Sequence, residues 1–271
     1  MPQTRVLPLN ARLLRDGHDP KPPAFLAPHA AVNELGAALD GLVDELGEIV
    51  LPYNCLLVQT AGELVLIDSG VGTYSAGAGN LERALADEGA EPGDVTIVLL
   101  THAHPDHIGG LCVAGQPRFA KARHLMTRVE WEYWRAALAA GSLPPALAAP
   151  LAEQLRPVER DGLLELVAED VEPVAGIRFV TAPGHTPGHV AVSLGAGDER
   201  MLFLADVAIH PVHFEHPAWT AAIDSQPSLA VETRERLFAA AVDEGLVVAA
   251  SHLWQPGRVA RGDDGFRFVP D

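Results

Sequence analysis

The ten residues Thr101–Gly110, Thr-His-Ala-His-Pro-Asp-His-Ile-Gly-Gly, constrain this chain more than any other stretch. They place His102, His104, Asp106 and His107 within six positions. Packing alone gives no reason to crowd imidazoles and a carboxylate so closely. The preceding Val95–Leu100 is apolar and rich in β-branched residues, which reads as a buried strand. The run closes on Gly109-Gly110, where the backbone turns freely. A rigid strand that ends in ligands presents them without the cost of ordering a long loop.

The remaining ligands of such a site are present further along. Ala182–His189 sets His185 between two Pro/Gly turns. Met201–Asp206 is an apolar run ending in a carboxylate, and Leu246–His252 is one ending in a histidine. Each β-type run delivers an Asp or His at or near its C-terminal end. Seven ligand-type residues suit two metals better than one, because a zinc takes about four ligands including water. Imidazole and carboxylate without thiolate suit Zn²⁺, and Mn²⁺, Fe²⁺ or Co²⁺ accept the same donor types.

In residue type, order and spacing, the series His102-x-His104-x-Asp106-His107, His185, Asp206, His252 resembles the metallo-β-lactamase-fold hydrolases, over about Leu51 to the C-terminus. The resemblance implies an α/β four-layer αββα sandwich and a dinuclear centre. One metal would take His102, His104 and His185, and the other Asp106, His107 and His252, with Asp206 bridging. A hydroxide shared by the metals would attack carbon or phosphorus, and Asp106 or Asp206 would pass a proton to the leaving group. Asp68, in Asp68-Ser-Gly-Val-Gly72, would steady the metal loop from behind; read from the residues alone, it equally caps a turn. No Gly-x-Ser-x-Gly elbow offers a rival nucleophile.

The region Asp206–Gly257 resembles the branch holding lactonases and methyl-parathion-hydrolase-like enzymes, through His216-Pro-Ala-Trp219, Asp224, Thr233-Arg234 and Pro256-Gly257. Acyl-homoserine lactonases carry a Tyr three residues after the bridging Asp, where this chain has Ile209. The expectation is hydrolysis of a lactone, ester or phosphotriester, with acyl-homoserine lactones turned over modestly unless His210 or His213 replaces the phenol. Glyoxalase II-like thioester hydrolysis, kept open by Arg258 and Arg261, and mono-iron persulfide dioxygenation are the alternatives within the fold. A non-catalytic ligand-binding protein is more remote, since all seven ligands are intact.

A chain of 271 residues with 48% hydrophobic residues can fill one large core, and no linker divides it, so a single domain is expected. The formal net charge of −17 argues against a nucleic-acid surface. Residues 1–10 lack an apolar signal core, and Ala136–Ala152, the longest uncharged stretch, is broken by Gly141, Pro144, Pro145 and Pro150. The chain therefore reads as a cytoplasmic enzyme of a small molecule, with no membrane partner. Cys55 and Cys112 read as buried thiols.

Residues 1–30 read as irregular. Residues 31–46 carry a helical apolar period, to be packed on the core or used as a lid or dimer contact, which permits a homodimer. A hairpin is expected across Ala61-Gly62, a helix at 80–89, and a tight connection at Gly195–Asp198. A last helix is expected at 227–244, capped by Ser225. Residues 120–169 read as a helical insertion over the site, whose Trp131, Tyr133 and Trp134 are either core or pocket wall. His18, His29 and His124 read as surface residues, and His189 as a residue that stabilises its turn. His210, His213 and His216 sit beside the metals in either a pocket or a structural role.

Overall fold

The protein is described by a computed structural model over residues 7, 10–197, 199–262 and 265–271. Most of residues 1–10, and Asp198 of the connection expected at 195–198, lie outside the described residues.

Two six-stranded sheets face each other among the described residues. The first contains β1 (Arg12–Lys21), β2 (Ile49–Gln59), β3 (Leu64–Ile67), β4 (Ile97–Leu99), β7 (Arg123–Thr127) and β8 (Leu164–Val167), in that spatial order. A two-residue ribbon, β5 (Cys112–Val113) and β6 (Gln116–Pro117), stands apart. The second sheet runs β14 (Phe266–Pro270), β13 (Gly257–Arg261), β12 (Val247–Ala249), β11 (Glu199–Phe203), β10 (Val190–Ala196), β9 (Ile177–Thr181).

Strand alternation explains the layering. Leu56, Val58, Val65, Ile67 and Leu99 point inward from the first sheet onto Phe179, Val192, Leu194, Met201 and Phe203 of the second. The intervening Leu57, Leu66 and Val98 point outward, beneath α2 (Leu81–Asp87), α4 (Arg128–Ala140) and α5 (Pro145–Arg160). Ala191, Leu202 and Val248 point outward from the second sheet, beneath α6 (Val212–Glu215) and α7 (Pro227–Asp243). Central strands are thus buried on both faces and read as unbroken apolar runs, as strands covered by helices do. The result is the four-layer αββα sandwich expected.

Several local expectations fail for physical reasons. Residues 12–21 are not irregular: β1 pairs antiparallel with β2, Leu13 opposite Leu56 and Asp19 opposite Leu51. It is an edge strand that mixes partly exposed charged residues with the buried Asp16, which accepts the Val71, Gly79 and Leu81 amides, so its sequence carries little apolar alternation. The helix expected at 31–46 covers only α1 (Val32–Ala38), and Gly41 beyond it has a left-handed φ of 73°. Leu35 and Leu39 pack on Leu26, Ile49 and Leu51, but Val32 and Leu46 are 89% and 82% exposed. The span 120–169 is not simply an insertion, because β7 and β8 belong to the first sheet, pairing in parallel at Leu125 opposite Glu165. Trp131 and Trp134 lie in its core. Gln226, not Ser225, precedes α7. Cys55 and Cys112 are buried and unpaired, as expected. Among the described residues, no helix is long and apolar enough to cross a membrane.

His18 and His29 are exposed. His124 is not: it is fully buried on β7. Burial penalises its charged form and lowers its pKa to about 4. The unfolded chain, with an ordinary histidine near 6.5, then binds the proton that the folded chain refuses. Stability is retained above pH 6.5 and falls as the pH drops toward 4. Between pH 7 and 5 this one group should cost about 2 kcal/mol. Urea denaturation of the wild type and His124→Leu across that range should show a shallower acid loss in the variant. Parallel curves would place the acid sensitivity elsewhere.

Candidate functional site

The metal-type side chains meet along one edge of the sandwich, each leaving the C-terminal end of a strand. Residues 102–107 follow β4 and His185 follows β9. Asp206 follows β11 in a short 3₁₀ turn, Ala205–Val207, and His252 follows β12. Ala205 takes a left-handed φ of 48°, a turn sharp enough to aim Asp206 back across the strand end. Asp106 and His107 stand on the single turn α3 (Pro105–Ile108). Its loop lies hard against residues 69–72: a Cβ on Gly72 would sit 1.9 Å from the Gly109 oxygen. Backbone therefore meets backbone here.

Two clusters result, one of His102, His104, His185 and Asp206, the other of Asp106, His107, Asp206 and His252. Within each, the potential ligand atoms lie within 4.8 Å of one another. In the first, His104 Nδ1 is 3.1 Å from His102 Nε2 and 2.8 Å from His185 Nε2. Asp206 Oδ2 is 3.3 Å from His185 Nε2 and 3.9 Å from His102 Nε2. In the second, His107 Nε2 is 3.2 Å from Asp206 Oδ1 and 3.5 Å from Asp106 Oδ2. His252 Nε2 is 3.2 Å from Asp206 Oδ2 and 3.4 Å from Asp106 Oδ2. Asp206 thus belongs to both clusters.

The far nitrogens fix the tautomers. His107 Nδ1–H donates to Asp68 Oδ2 at 2.8 Å, His185 Nδ1–H to Asp224 Oδ1 at 2.8 Å, and His252 Nδ1–H to the Pro52 carbonyl at 2.9 Å. Thr101 gives its single hydroxyl proton to Asp68, so it accepts from His102 Nδ1 at 3.1 Å. In the neutral rings the near nitrogen is then a lone pair facing other lone pairs or a carboxylate oxygen. Such atoms repel unless a cation lies among them. Ligand nitrogens ~2.0–2.1 Å from a tetrahedral zinc stand roughly 3.3 Å apart, close to the separations here. His107 Nε2 and Asp206 Oδ1 are moreover buried without a hydrogen-bond partner. The residues fit a pair of metal ions.

The charges agree. Burial disfavours charge on Asp206, yet His252 and His107 outweigh it and hold its pKa well below the usual range. Burial likewise opposes a proton on His107, but Asp206 and Asp106 push its pKa well up. His102 and His104 are driven down, by burial first and neighbouring imidazoles next, His104 to about 3. The pocket is thus built for positive charge, which metal ions supply in place of protons.

Asp68 is a buried support that both receives His107 and accepts the Thr101 amide. His189 is a support too: it donates to the Ala182 carbonyl and accepts the Asp206 amide at 3.2 Å. His213 bonds the Leu26 carbonyl and the Ile209 amide, and His210 accepts from the Val212 amide. His216 stacks on Trp219 at 4.1 Å. None of these three lines the cavity over the two clusters; each is engaged by backbone groups or by Trp219. Ile209 is buried with Leu26, Leu35 and Leu51. Two residues escaped the sequence reading. Tyr53 lines the cavity, its ring edge-on to His252 at 5.4 Å. Glu130 is completely buried beside the metal loops.

The cavity has a volume of about 400 Å³ and opens over His104, Asp106 and His252. Its lining mixes apolar side chains, Phe25, Leu51, Leu147 and Ile223, with polar ones, Asp19, Lys21, Tyr53 and Ser75. Arg258 and Arg261 do not line it; they bond the Gly245 carbonyl and Asp243.

Known proteins are similar to this chain in sequence and fold. The chain is 25% identical over 228 residues to an N-acyl homoserine lactonase of a Bacillus species, covering 76% of this chain and 83% of the relative. It is 29% identical to a probable metallo-hydrolase of Mycobacterium tuberculosis, covering 69% of this chain and 66% of the relative. Among solved structures, hydrolase AbOPH in the beta lactamase superfamily superposes with a TM-score of 0.89 at 26% identity, over 96% of this chain and 94% of that one. AidC, a dizinc quorum-quenching lactonase solved with a product, superposes at 0.87 and 28% identity over the same shares. The family model for the metallo-beta-lactamase superfamily matches residues 49–252, and with the ligand series in its strand-end positions the chain belongs to that superfamily.

Proposed function

We propose that this chain is a dinuclear, zinc-dependent hydrolase that opens a lactone or cleaves an ester or phosphotriester of a small molecule. One observation carries the reading: the Asp206 carboxylate stands between two complete ligand clusters, one oxygen toward His107 and the other toward His185 and His252. Two bound cations would activate water as the nucleophile and polarise the substrate oxygen. His102, His104 and His185 would hold one, Asp106, His107 and His252 the other, and Asp206 both. Asp106, the ligand that is part exposed and lines the cavity, is placed to hand a proton to the leaving group. Mono-iron chemistry would leave the second cluster without a purpose. The similarity to lactonases supports the substrate class, as does a cavity lined by both apolar and hydrogen-bonding side chains.

Elemental analysis of protein purified without chelator should give close to two transition-metal ions per chain. Asp206→Ala should lose metal from both sites and at least ~10²-fold in activity. A variant that keeps two metals and most of its rate would remove the bridge.

Tyr53 takes the place of the phenol that Ile209 lacks. Its hydroxyl donates to Asp19 Oδ2 at 3.3 Å, which holds the phenol on the cavity wall beside His252. In our reading it turns from Asp19 to donate to the substrate carbonyl oxygen. Acyl-homoserine lactones have poor leaving groups and should depend on that donor more than activated aryl esters or phosphotriesters do. Tyr53→Phe should lower kcat about 10²-fold on lactones and by less than about 10-fold on aryl esters, at unchanged metal content. Equal losses on both classes would reduce Tyr53 to a wall. In the wild type, kcat/KM should be higher for the activated esters than for acyl-homoserine lactones, and the reverse order by orders of magnitude would contradict the assignment.

A further inference from the structure

We propose that Glu130 is the positioning residue of one metal site only, the cluster of His102, His104, His185 and Asp206. It does so by tying that cluster's two separate loops to one buried carboxylate. This inference rests on the two-metal reading above.

Glu130 Oε1 accepts the Ala103 amide at 2.9 Å and the Trp134 indole N–H at 2.6 Å. Oε2 accepts the Thr186 hydroxyl at 2.7 Å and the Gly188 amide at 3.0 Å. Ala103 lies between His102 and His104, and Thr186 directly follows His185. A single side chain therefore bonds both of the loops that carry the three histidines of that cluster. The other cluster is held differently, His107 through Asp68 and His252 through the Pro52 carbonyl.

The fold is shaped around this contact. Glu130 is the third residue of α4, whose first turn favours negative charge. Thr127 caps that helix by accepting the Glu130 amide, and its hydroxyl donates to the Gly188 carbonyl. Gly188 cannot carry a side chain, because a Cβ would sit 2.2 Å from the Glu130 nitrogen. Thr186 and Gly188 are thus both explained by Glu130, where the metals explain neither.

The chemistry requires a carboxylate. Four donors converge, and three of them are N–H groups that cannot reverse their role. A glutamine must turn its NH₂ toward at least one of these in either orientation, leaving donor against donor in a dry site. Glu130→Gln keeps the volume and breaks the clamp on one side.

The test is Zn²⁺ competition against a chelator of known affinity, read as two stepwise affinities per chain, with Co²⁺ absorbance as a second readout. His185→Ala and His252→Ala serve as references for the two sites. Glu130→Gln should keep one tight ion and weaken the other about 10–100-fold, reproducing the pattern of His185→Ala. Added to His185→Ala it should change the remaining ion little; added to His252→Ala it should weaken the remaining ion by the same factor. Equal weakening of both ions, or of neither, overturns the proposal. Should Glu130→Gln fail to fold, Thr186→Val removes one donor and keeps the carboxylate. It should produce a smaller loss at the same site, and a loss shared by both sites or absent from both is again fatal. A wild type holding fewer than two ions would instead defeat the two-metal reading.

Discussion

The structure is organised by the problem of keeping five imidazoles and two carboxylates together away from water. Each buried polar atom left unpaired costs about 1–3 kcal/mol. The outward nitrogens solve their part with Asp68, Asp224, Thr101 and the Pro52 carbonyl. The inward atoms solve theirs only with positive charge. Everything around the site follows from these two demands: buried acids stand behind the rings, and the rings aim at common points.

That demand also decides which parts of the scaffold are rigid. The ligands sit on turns that leave strand ends, and those turns are tied to other turns rather than to solvent. Asp224, which orients His185, lies 3.7 Å from the buried Arg234, whose guanidinium also bonds the Val207 and Pro217 carbonyls. One arginine thus joins the loop after Asp206 to the acid behind His185. Precision at the centre comes from this cross-bracing.

The legible parts of the sequence are those where one local rule decides. His102–His107 announces itself because no packing rule asks for such a cluster, and the central strands do so because they are apolar on both faces. Asp224 and Arg234 were legible only through resemblance. β1 and β13 are hard to read because these edge and near-edge strands carry several charged residues and no regular apolar alternation, as Arg12–Lys21 and Gly257–Arg261 show. The helix at 31–46 was overrun because apolar spacing persists past Gly41, where the backbone turns left-handed. His124 passed as a surface residue since a lone histidine among Ala, Arg and Lys gives no sign of burial. Glu130 was hidden by a local pattern: Thr127-x-x-Glu130 looks like an ordinary capping box, whose glutamate would return to its own helix. Only the tertiary fold shows that it leaves.

The ligands come from both halves of the chain. Residues 102–107 hang from the first sheet, while His185, Asp206 and His252 hang from the second. The His252 loop is also pinned to the first sheet, where Asn54 donates to the Ala250 and Leu253 carbonyls. Any ion held here rivets a seam. Neither half alone offers more than a fragment of either site, so full coordination must await the docking of the two sheets during folding. The affinity for the ions is then in part an affinity of one half for the other, added to the apolar interface between the sheets and the Asn54 contacts that already join them.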